Sequence, residues 1–385
     1  MANNSSKRDL LVISDSNFYE ENGKIAVFEA TLREIEELTQ IFDTITWIGF
    51  LYDEPNPGNA RPPRTENVKL VPIRAAGGHN VKSKLQLASK FLSYISTINK
   101  YANKHQYIHT RAPSVPAFIG ILRSFLDGKR KYWHKFAGNW NQVNPPKSYG
   151  IQRSLLKKAT NTFVAVNGTW ENQPQQVHFF ENPCFNESEL VEAREVRAAK
   201  NYDGPMKICF VGRIEEPKGV GRLLDALKMI KEPIEKIYFV GGGEAQPEFE
   251  ERAREVDQNI VFTGKMSRNE LNEVYRECQI FCLPSSASEG FPKVISEAAS
   301  YGCVPVVSSV SSIGQYIKTG DNGVLLEDIA PAKVAEGLEM IIKDRKLLKE
   351  LAYNFDKTLE IFTYEHYNNR ILNEFVNVDE YKRAE

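Results

Sequence analysis

The chain predicts an α/β fold laid out as two doubly wound parallel sheets. Three patterns carry that expectation. Short apolar runs of strand length alternate with stretches of helical spacing, as in a parallel sheet covered by helices. The series runs twice, interrupted by a polar stretch between Phe185 and Pro205. In the second series, an apolar run from Cys278 to Pro284 leads through a turn into a helical segment, with Glu289 before the helix and Glu297 inside it. A chain of 385 residues also suits two cores better than one.

Taken in order, residues 9–14 read as a buried strand and 14–23 as a polar turn. Residues 24–42 read as a helix, because Ile25, Phe28, Leu32, Ile35, Leu38 and Phe42 share one helical face. Strands follow at 44–50, 68–73, 107–110, 131–136 and 163–166, with a helix at 82–103 and an exposed Pro-rich loop at 53–66. The polar stretch after Phe185 reads as a linker. The second series has strands at 207–211, 236–240, 259–262, 279–283 and 304–308. A charged helix at 330–355 and a last amphipathic helix at 364–377 complete it. Pro292 suits the first turn of the helix after Glu289, and Gly302 the position just past its end. Ligands of such sheets bind outside the carboxyl ends of strands, so two facing sheets would place a site in the cleft between them.

Composition narrows the class. Hydrophobic and charged fractions of 42% and 26% are those of a soluble globular protein. The net charge of −1 conceals a split: residues 1–180 hold 23 Lys/Arg against 14 Asp/Glu, the remainder 26 against 36. Such a split fits an anionic partner for the first half, or simply an uneven solvated surface. Cys184, Cys209, Cys278, Cys282 and Cys303 lie mostly in apolar runs without metal-type pairing, as reduced core residues of a cytosolic protein do. The run Leu10–Ile13 is too short for a signal peptide, and no run is long enough to span a bilayer. No stacking platform or groove-reading helix suggests nucleic acid.

Three constellations carry chemistry. Gly212-Arg213 ends the first strand of the second half, and Lys218-Gly219 opens the next helix. Two cations there suit a diphosphate, Arg as a fork and Lys as a point charge; they also suit a plain charged surface. Gly241-Gly242-Gly243-Glu244 lets backbone approach a ligand closely, or makes a tight turn. Glu289 can accept sugar hydroxyls and Glu297 can reach a ribose, or rest against a lysine or solvent. The helix start between them favours an anion by roughly 0.3–1 kcal/mol.

The ordered set GRIEEPKG, VGGGE, VFTGKMSRNEL, FCLPSSASEGFPKVISEAASYGCVPVVSS and TGDNGVLLE, from about residue 206 to 360, resembles the carboxyl-terminal half of family-four retaining glycosyltransferases. That resemblance implies the GT-B fold, two Rossmann-like domains facing across a cleft. The implied domains are an acceptor-side domain at 1–184, a nucleotide-sugar domain at 185–360, and a helix at 361–385 packing back on the first. It assigns Arg213 and Lys218 to the donor diphosphate, Glu289 to the donor sugar and Glu297 to the ribose. Gly212 belongs to the same phosphate-side turn. Gly290 and Phe291 match the loop facing sugar hydroxyls, the amides of Lys293 and Val294 the phosphate-facing helix start, and Gly264 and Lys265 the turn that reads the base. Pro292 stands where relatives usually have Gly, removing one donor. In the first half, Gly23 resembles the glycine turn under the donor phosphates. His109 and Arg111 (YIHTRAPS) resemble a His-containing loop near the anomeric carbon. Arg111 then stabilises phosphate charge or orients the acceptor, and His109 is catalytic or structural. Lys135–Trp140 resembles another strand-end loop, with Trp140 equally readable as a packed aromatic.

The stretch 121–160 carries nine Lys/Arg and one Asp, and Ile151, Leu155, Leu156 and Ala159 share a face beside Arg153, Lys157 and Lys158. Such a helix lies on an anionic membrane or packs its apolar side on the sheet. The expected protein is a cytoplasmic enzyme, peripheral at the inner membrane face. It would move a sugar from a nucleotide-sugar donor to a glycan or lipid-linked acceptor in surface-polysaccharide or glycoconjugate synthesis. It would retain anomeric configuration and need neither cofactor nor obligatory metal. The alternatives are a nucleotide-sugar epimerase of the same fold and a non-catalytic nucleotide- or glycan-binding partner.

Overall fold

The computed structural model describes residues 7–75 and 81–378, with the side chains of 81–89 outside that description. The chain forms two compact units. One takes the chain up to Phe180 and again from Asn368; the other is Glu181–Tyr367.

The first unit has strands β1 (Asp9–Glu21), β2 (Lys24–Phe28), β3 (Thr44–Tyr52), β4 (Ala60–Arg61), β5 (Val68–Arg74), β6 (Tyr107–Ala112), β7 (Lys131–Phe136), β8 (Phe163–Val166) and β9 (Val177–Phe179). Its helices are α1 (Glu29–Glu37), α2 (Val81–Ala102), α3 (Val115–Ser124) and α4 (Lys147–Leu156). The parallel strands lie in the order β5-β3-β1-β6-β7-β8-β9, so strand order reverses between β1 and β6. Leu10 to Ile13 are wholly buried, as expected of a strand covered on both faces.

The helix expected over 24–42 is a correction. β1 continues to Glu21 and turns back through Asn22-Gly23 into antiparallel β2, with Glu21 opposite Lys24. Asn22 and Gly23 take φ of 52° and 74°, the left-handed pair that a two-residue hairpin requires. Gly23 therefore closes a hairpin and does not precede a helix, which begins only at Glu29.

Two histidines sit inside this sheet. His109 Nδ1 lies 3.2 Å from the Trp133 carbonyl, and its ring stacks on the Trp133 indole at 3.8 Å. His134 Nδ1 lies 2.7 Å from Thr110 Oγ1. Burial pushes the His134 imidazole down to about 3. Burial, helped by Arg111 and Lys135 and opposed by Glu34, holds His109 well below its ordinary value. Both are neutral in the folded protein, whereas the unfolded chain takes up protons below about pH 6.5. Stability is thus complete above that pH and declines as pH falls toward 3. The expected loss by pH 5 is about 2 kcal/mol for His134, and His109 acts in the same direction. Urea unfolding at pH 7 and pH 5 measures it, and an unchanged unfolding free energy would contradict the buried neutral pair.

The chain from Asn368 completes this unit: Phe375 packs on Tyr107, Trp133 and Phe163 with ring centroids 5.6–6.1 Å apart. The return helix was expected from residue 361; the segment joins the first unit at 368, and residues 379–385 lie outside the described residues.

The second unit opens with α5 (Glu187–Ala199), then β10 (Met206–Val211), α6 (Val220–Leu227), β11 (Ile234–Val240), α7 (Gln246–Ala253), β12 (Ile260–Gly264), α8 (Arg268–Glu277), β13 (Ile280–Leu283), α9 (Lys293–Ser300), β14 (Val304–Ser308) and β15 (Val324–Leu326). All strand pairs are parallel, in the order β12-β11-β10-β13-β14-β15. The expected linker after Phe185 is a second correction. Asn186 and Glu189 close a capping box at the start of α5, whose Leu190 and Ala193 are buried in this unit's core. The charged helix at 330–355 is two helices, Pro331–Lys343 and Arg345–Asn354, divided where the Asp344 side chain caps the second. The polypeptide enters and leaves this unit at one place. The Cys184 amide donates to the Phe362 carbonyl at 3.0 Å and the Tyr364 amide to that of Phe185 at 2.9 Å. All five cysteines are buried and unbridged.

Candidate active site

In the second unit, strand order reverses between β10 and β13. In an open parallel sheet the connections on either side of that point leave in opposite directions, and a crevice opens at the carboxyl ends. The turns that leave those ends touch one another. Gly212 N–H donates to the Val240 carbonyl at 3.0 Å, Ile214 N–H to Gly242 at 3.1 Å, and Gly241 N–H to Gly264 at 2.9 Å. Contact is so close that a Cβ on Gly241 would lie 1.8 Å from the Gly212 carbonyl oxygen, and one on Gly243 2.2 Å from that of Ile214. The Lys265 stem covers Gly242. On the other side of the reversal, the Pro217 carbonyl accepts from the amides of Ser286 and Ala287 at 2.8 and 3.1 Å. One edge therefore carries the expected residues Gly212, Arg213, Lys218, Gly264, Lys265, Glu289, Gly290, Phe291, Lys293, Val294 and Glu297.

Four of the charged members, Arg213, Lys218, Glu289 and Glu297, already have partners. Lys218 is 8% exposed, and its ammonium contacts the Glu289 carboxylate directly. Arg213 has a side chain 70% exposed, 2.9 Å from Glu215. Glu297, 6% exposed, accepts from Arg268 at 2.5 Å. Its partner is thus Arg268, where the alternative reading of Glu297 expected a lysine or solvent. Pro292 is the residue before α9, and no side chain caps that helix. The loop before it is anchored by Phe291, whose buried ring stacks on Phe362 at 5.0 Å. The Phe291 carbonyl accepts from Asn182 at 3.1 Å, and that of Gly290 from Ser312 at 3.3 Å. Gly302 ends the helix region with φ of 80°.

Gly23, His109 and Arg111 belong to the first unit. His109 is a correction: it lies in mid-strand, fully buried and stacked on Trp133, so its imidazole is a packing element. Arg111 and Lys135 are paired neighbours on β6 and β7, and both donate to one oxygen of Glu34, at 2.6 and 2.7 Å. Glu34, on α1, is fully buried, and two cations on its carboxylate explain how that charge is tolerated. Trp140 is packed: its ring meets Phe136 edge-on at 5.2 Å and its indole N–H reaches Gln173 at 2.8 Å.

Glu34, Glu215 and Arg268 were not singled out from sequence. Only Arg268 had a local signal: Ser267 and Glu270 form a capping box, which fixes Arg268 as the first residue of α8, just after the Gly264 turn. Among the described residues, no group of three or more His, Cys, Asp or Glu is placed to hold a metal ion, and no helix is long and apolar enough to cross a membrane.

Solved structures share this fold over nearly the whole chain. Sucrose-phosphate synthase of Thermosynechococcus elongatus superposes with a TM-score of 0.71 at 16% identity, covering 95% of this chain and 97% of that one. HepE of Anabaena in complex with UDP gives 0.69 at 15% identity, covering 95% and 99%. At such identities the likeness is one of fold, and the fold is the GT-B class, two Rossmann-like domains. Residues 192–358 match the family model of glycosyl transferases group 1. That part of the chain is similar to the family. An uncharacterised glycosyltransferase of Methanocaldococcus jannaschii is 29% identical over 180 residues, which are 46% of this chain and 45% of that protein. The chain thus spans about half the length of the curated relatives it matches.

Proposed function

We propose that the protein is a retaining glycosyltransferase that moves a sugar from a nucleotide-sugar donor to a hydroxyl of a glycan or lipid-linked acceptor. The observation that carries this reading is the Lys218–Glu289 contact at the strand-order reversal, beside the uncapped start of α9. A diphosphate at this edge would take over Lys218 and Arg213 from their carboxylate partners. Glu289, released, would accept hydroxyls of the donor sugar, and α9 would present the amides of Lys293 and Val294 to phosphate oxygens. Charge that develops on the departing diphosphate then meets cations and N–H groups already in place, an electrostatic form of catalysis. Gly264 and Lys265 would face the base and Glu297 the ribose. The UDP in the HepE structure supports a nucleotide-diphosphate donor for this fold.

In this reading no metal is obligatory, and the enzyme acts at the cytoplasmic face of a membrane in surface-polysaccharide or glycoconjugate synthesis. Support for the membrane contact comes from the region of α4, where Val143, Tyr149 and Ile151 are exposed beside Lys147 and Lys158. The opposite side of α4 is used in packing, with Gln152 and Leu156 buried.

The expected outcome with a panel of nucleotide sugars is release of nucleoside diphosphate that depends on added glycan or lipid-linked acceptor, the product keeping the donor's anomeric configuration by NMR. Donor converted without acceptor would favour an epimerase. Nucleotide bound but never turned over would favour a non-catalytic protein.

A further inference from the structure

We propose that Arg268 is a positioning residue that fixes the Glu297 carboxylate and aims one of its oxygens at the ribose of the bound nucleotide. The inference rests on the donor-site reading above and adds a residue to it. Glu297 lies in the second turn of α9 and is nearly inaccessible, so its charge needs a partner inside the protein. Arg268 supplies it from the first position of α8, and the Ser267–Glu270 capping box fixes where that helix begins.

The geometry is unlike that of a pair formed for stability alone. An arginine can engage a carboxylate with two parallel hydrogen bonds. Here one nitrogen, Nη1, donates to Glu297 Oε1 at 2.5 Å, while Nη2 turns away to the Cys184 carbonyl at 3.3 Å. Nε is buried and has no partner among the described residues. The guanidinium is thus pinned by two acceptors from different elements and leaves Oε2 of Glu297 unused. Among the described residues Oε2 accepts no hydrogen bond, so it can take one from a ligand hydroxyl. Arg268 stays cationic beside it: burial lowers its affinity for a proton, but Glu297, ahead of Glu189, outweighs burial and the net direction is upward.

Position gives the pair its meaning. Arg268 follows the Gly264-Lys265 turn at the end of β12 by a few residues, and Glu297 sits one turn beyond the start of α9. The ion pair therefore ties the turn proposed to face the base to the helix proposed to face the phosphates. A ribose lies between base and phosphates in every nucleotide.

The test compares UDP and GDP with their 2′-deoxy and 3′-deoxy counterparts, binding each to the full chain by calorimetry. Wild type is expected to prefer at least one ribonucleotide by about tenfold, and Glu297→Gln to abolish that preference. Arg268→Met should remove most of it, and Arg268→Lys should restore part. A purely structural role would weaken ribo and deoxy ligands equally and leave their ratio unchanged. A full preference in Arg268→Met, with its loss in Glu297→Gln, would overturn the positioning role and keep the ribose assignment. A full preference in both variants would overturn the ribose assignment itself, as would a wild type without preference, and failure of any nucleotide to bind wild type would overturn the donor site. Melting curves for each variant establish that the proteins compared are folded, and Arg268→Lys, which keeps the charge, decides the case if Arg268→Met is not.

Discussion

Replacing Lys218 by alanine is expected to lower turnover by about 100- to 1,000-fold, the scale for losing one preorganised group that stabilises transition-state charge. Its ammonium is nearly buried at the strand-order reversal and already pairs with a carboxylate, Glu289. A diphosphate can replace that partner without desolvating Lys218 again, since the burial exists in the unliganded fold. The cost to stability should be small, about 1 kcal/mol, because the Glu289 side chain is 32% exposed and water can solvate it once the lysine is gone. Arg213→Ala should also slow turnover, with still less effect on folding, since its pairing with Glu215 is largely exposed. Single-turnover rates with saturating nucleotide sugar measure both. A folded Lys218→Ala protein with wild-type rate would remove the diphosphate assignment.

The second large effect is structural. Gly241→Ala is expected to destabilise the second unit by about 2–6 kcal/mol. A side chain at φ of 135° costs roughly 1–3 kcal/mol, and forcing the turn apart adds about 1–3 kcal/mol. The obstruction is backbone: the methyl would meet the Gly212 carbonyl oxygen, which cannot swing aside as a long side chain could. For a unit of this size the loss corresponds to a fall in melting temperature of about 10 °C. Gly264→Ala is the control. Its φ is 73° but nothing lies within 4 Å of the added carbon, so only backbone strain of about 1–2 kcal/mol remains. Equal melting temperatures for the two variants would mean that the turns at the ends of β10 and β11 do not touch as described.

The fold class was legible because buried parallel strands are short apolar runs whatever they pack against. β3, β5, β7, β8 and β10 to β14 all announce themselves that way. Elements without such a run were not: β9 and β15 have three residues each, too few for a pattern. The error at 24–42 has a specific cause. Ile25 and Phe28 extend the helical spacing of α1 backwards, and that period outweighed Asn22-Gly23, the stronger local signal for a hairpin. The Phe185–Pro205 stretch misled for the opposite reason. It looks polar because α5 buries only a narrow stripe, with Leu190 and Ala193 among its few buried residues.

At the site, sequence supplied the loops but not their pairings. Lys218 and Glu289 are 71 positions apart, and Arg268 and Glu297 are 29 apart. Only the strand order brings each pair together. His109 shows the limit in the other direction. A histidine near a strand end and one in mid-strand read alike in sequence, and the Trp133 ring that covers it comes from the neighbouring strand.

The hydrogen bonds between Cys184 and Phe362, and between Phe185 and Tyr364, have a consequence for how such a protein can change. Glu181–Tyr367 is a cassette whose two ends are already fastened side by side. Removing or exchanging it leaves its host only a short gap to bridge, and closure entropy grows slowly with the length of what bridges it. One such cassette could thus be swapped for another without re-laying the sheet that receives it.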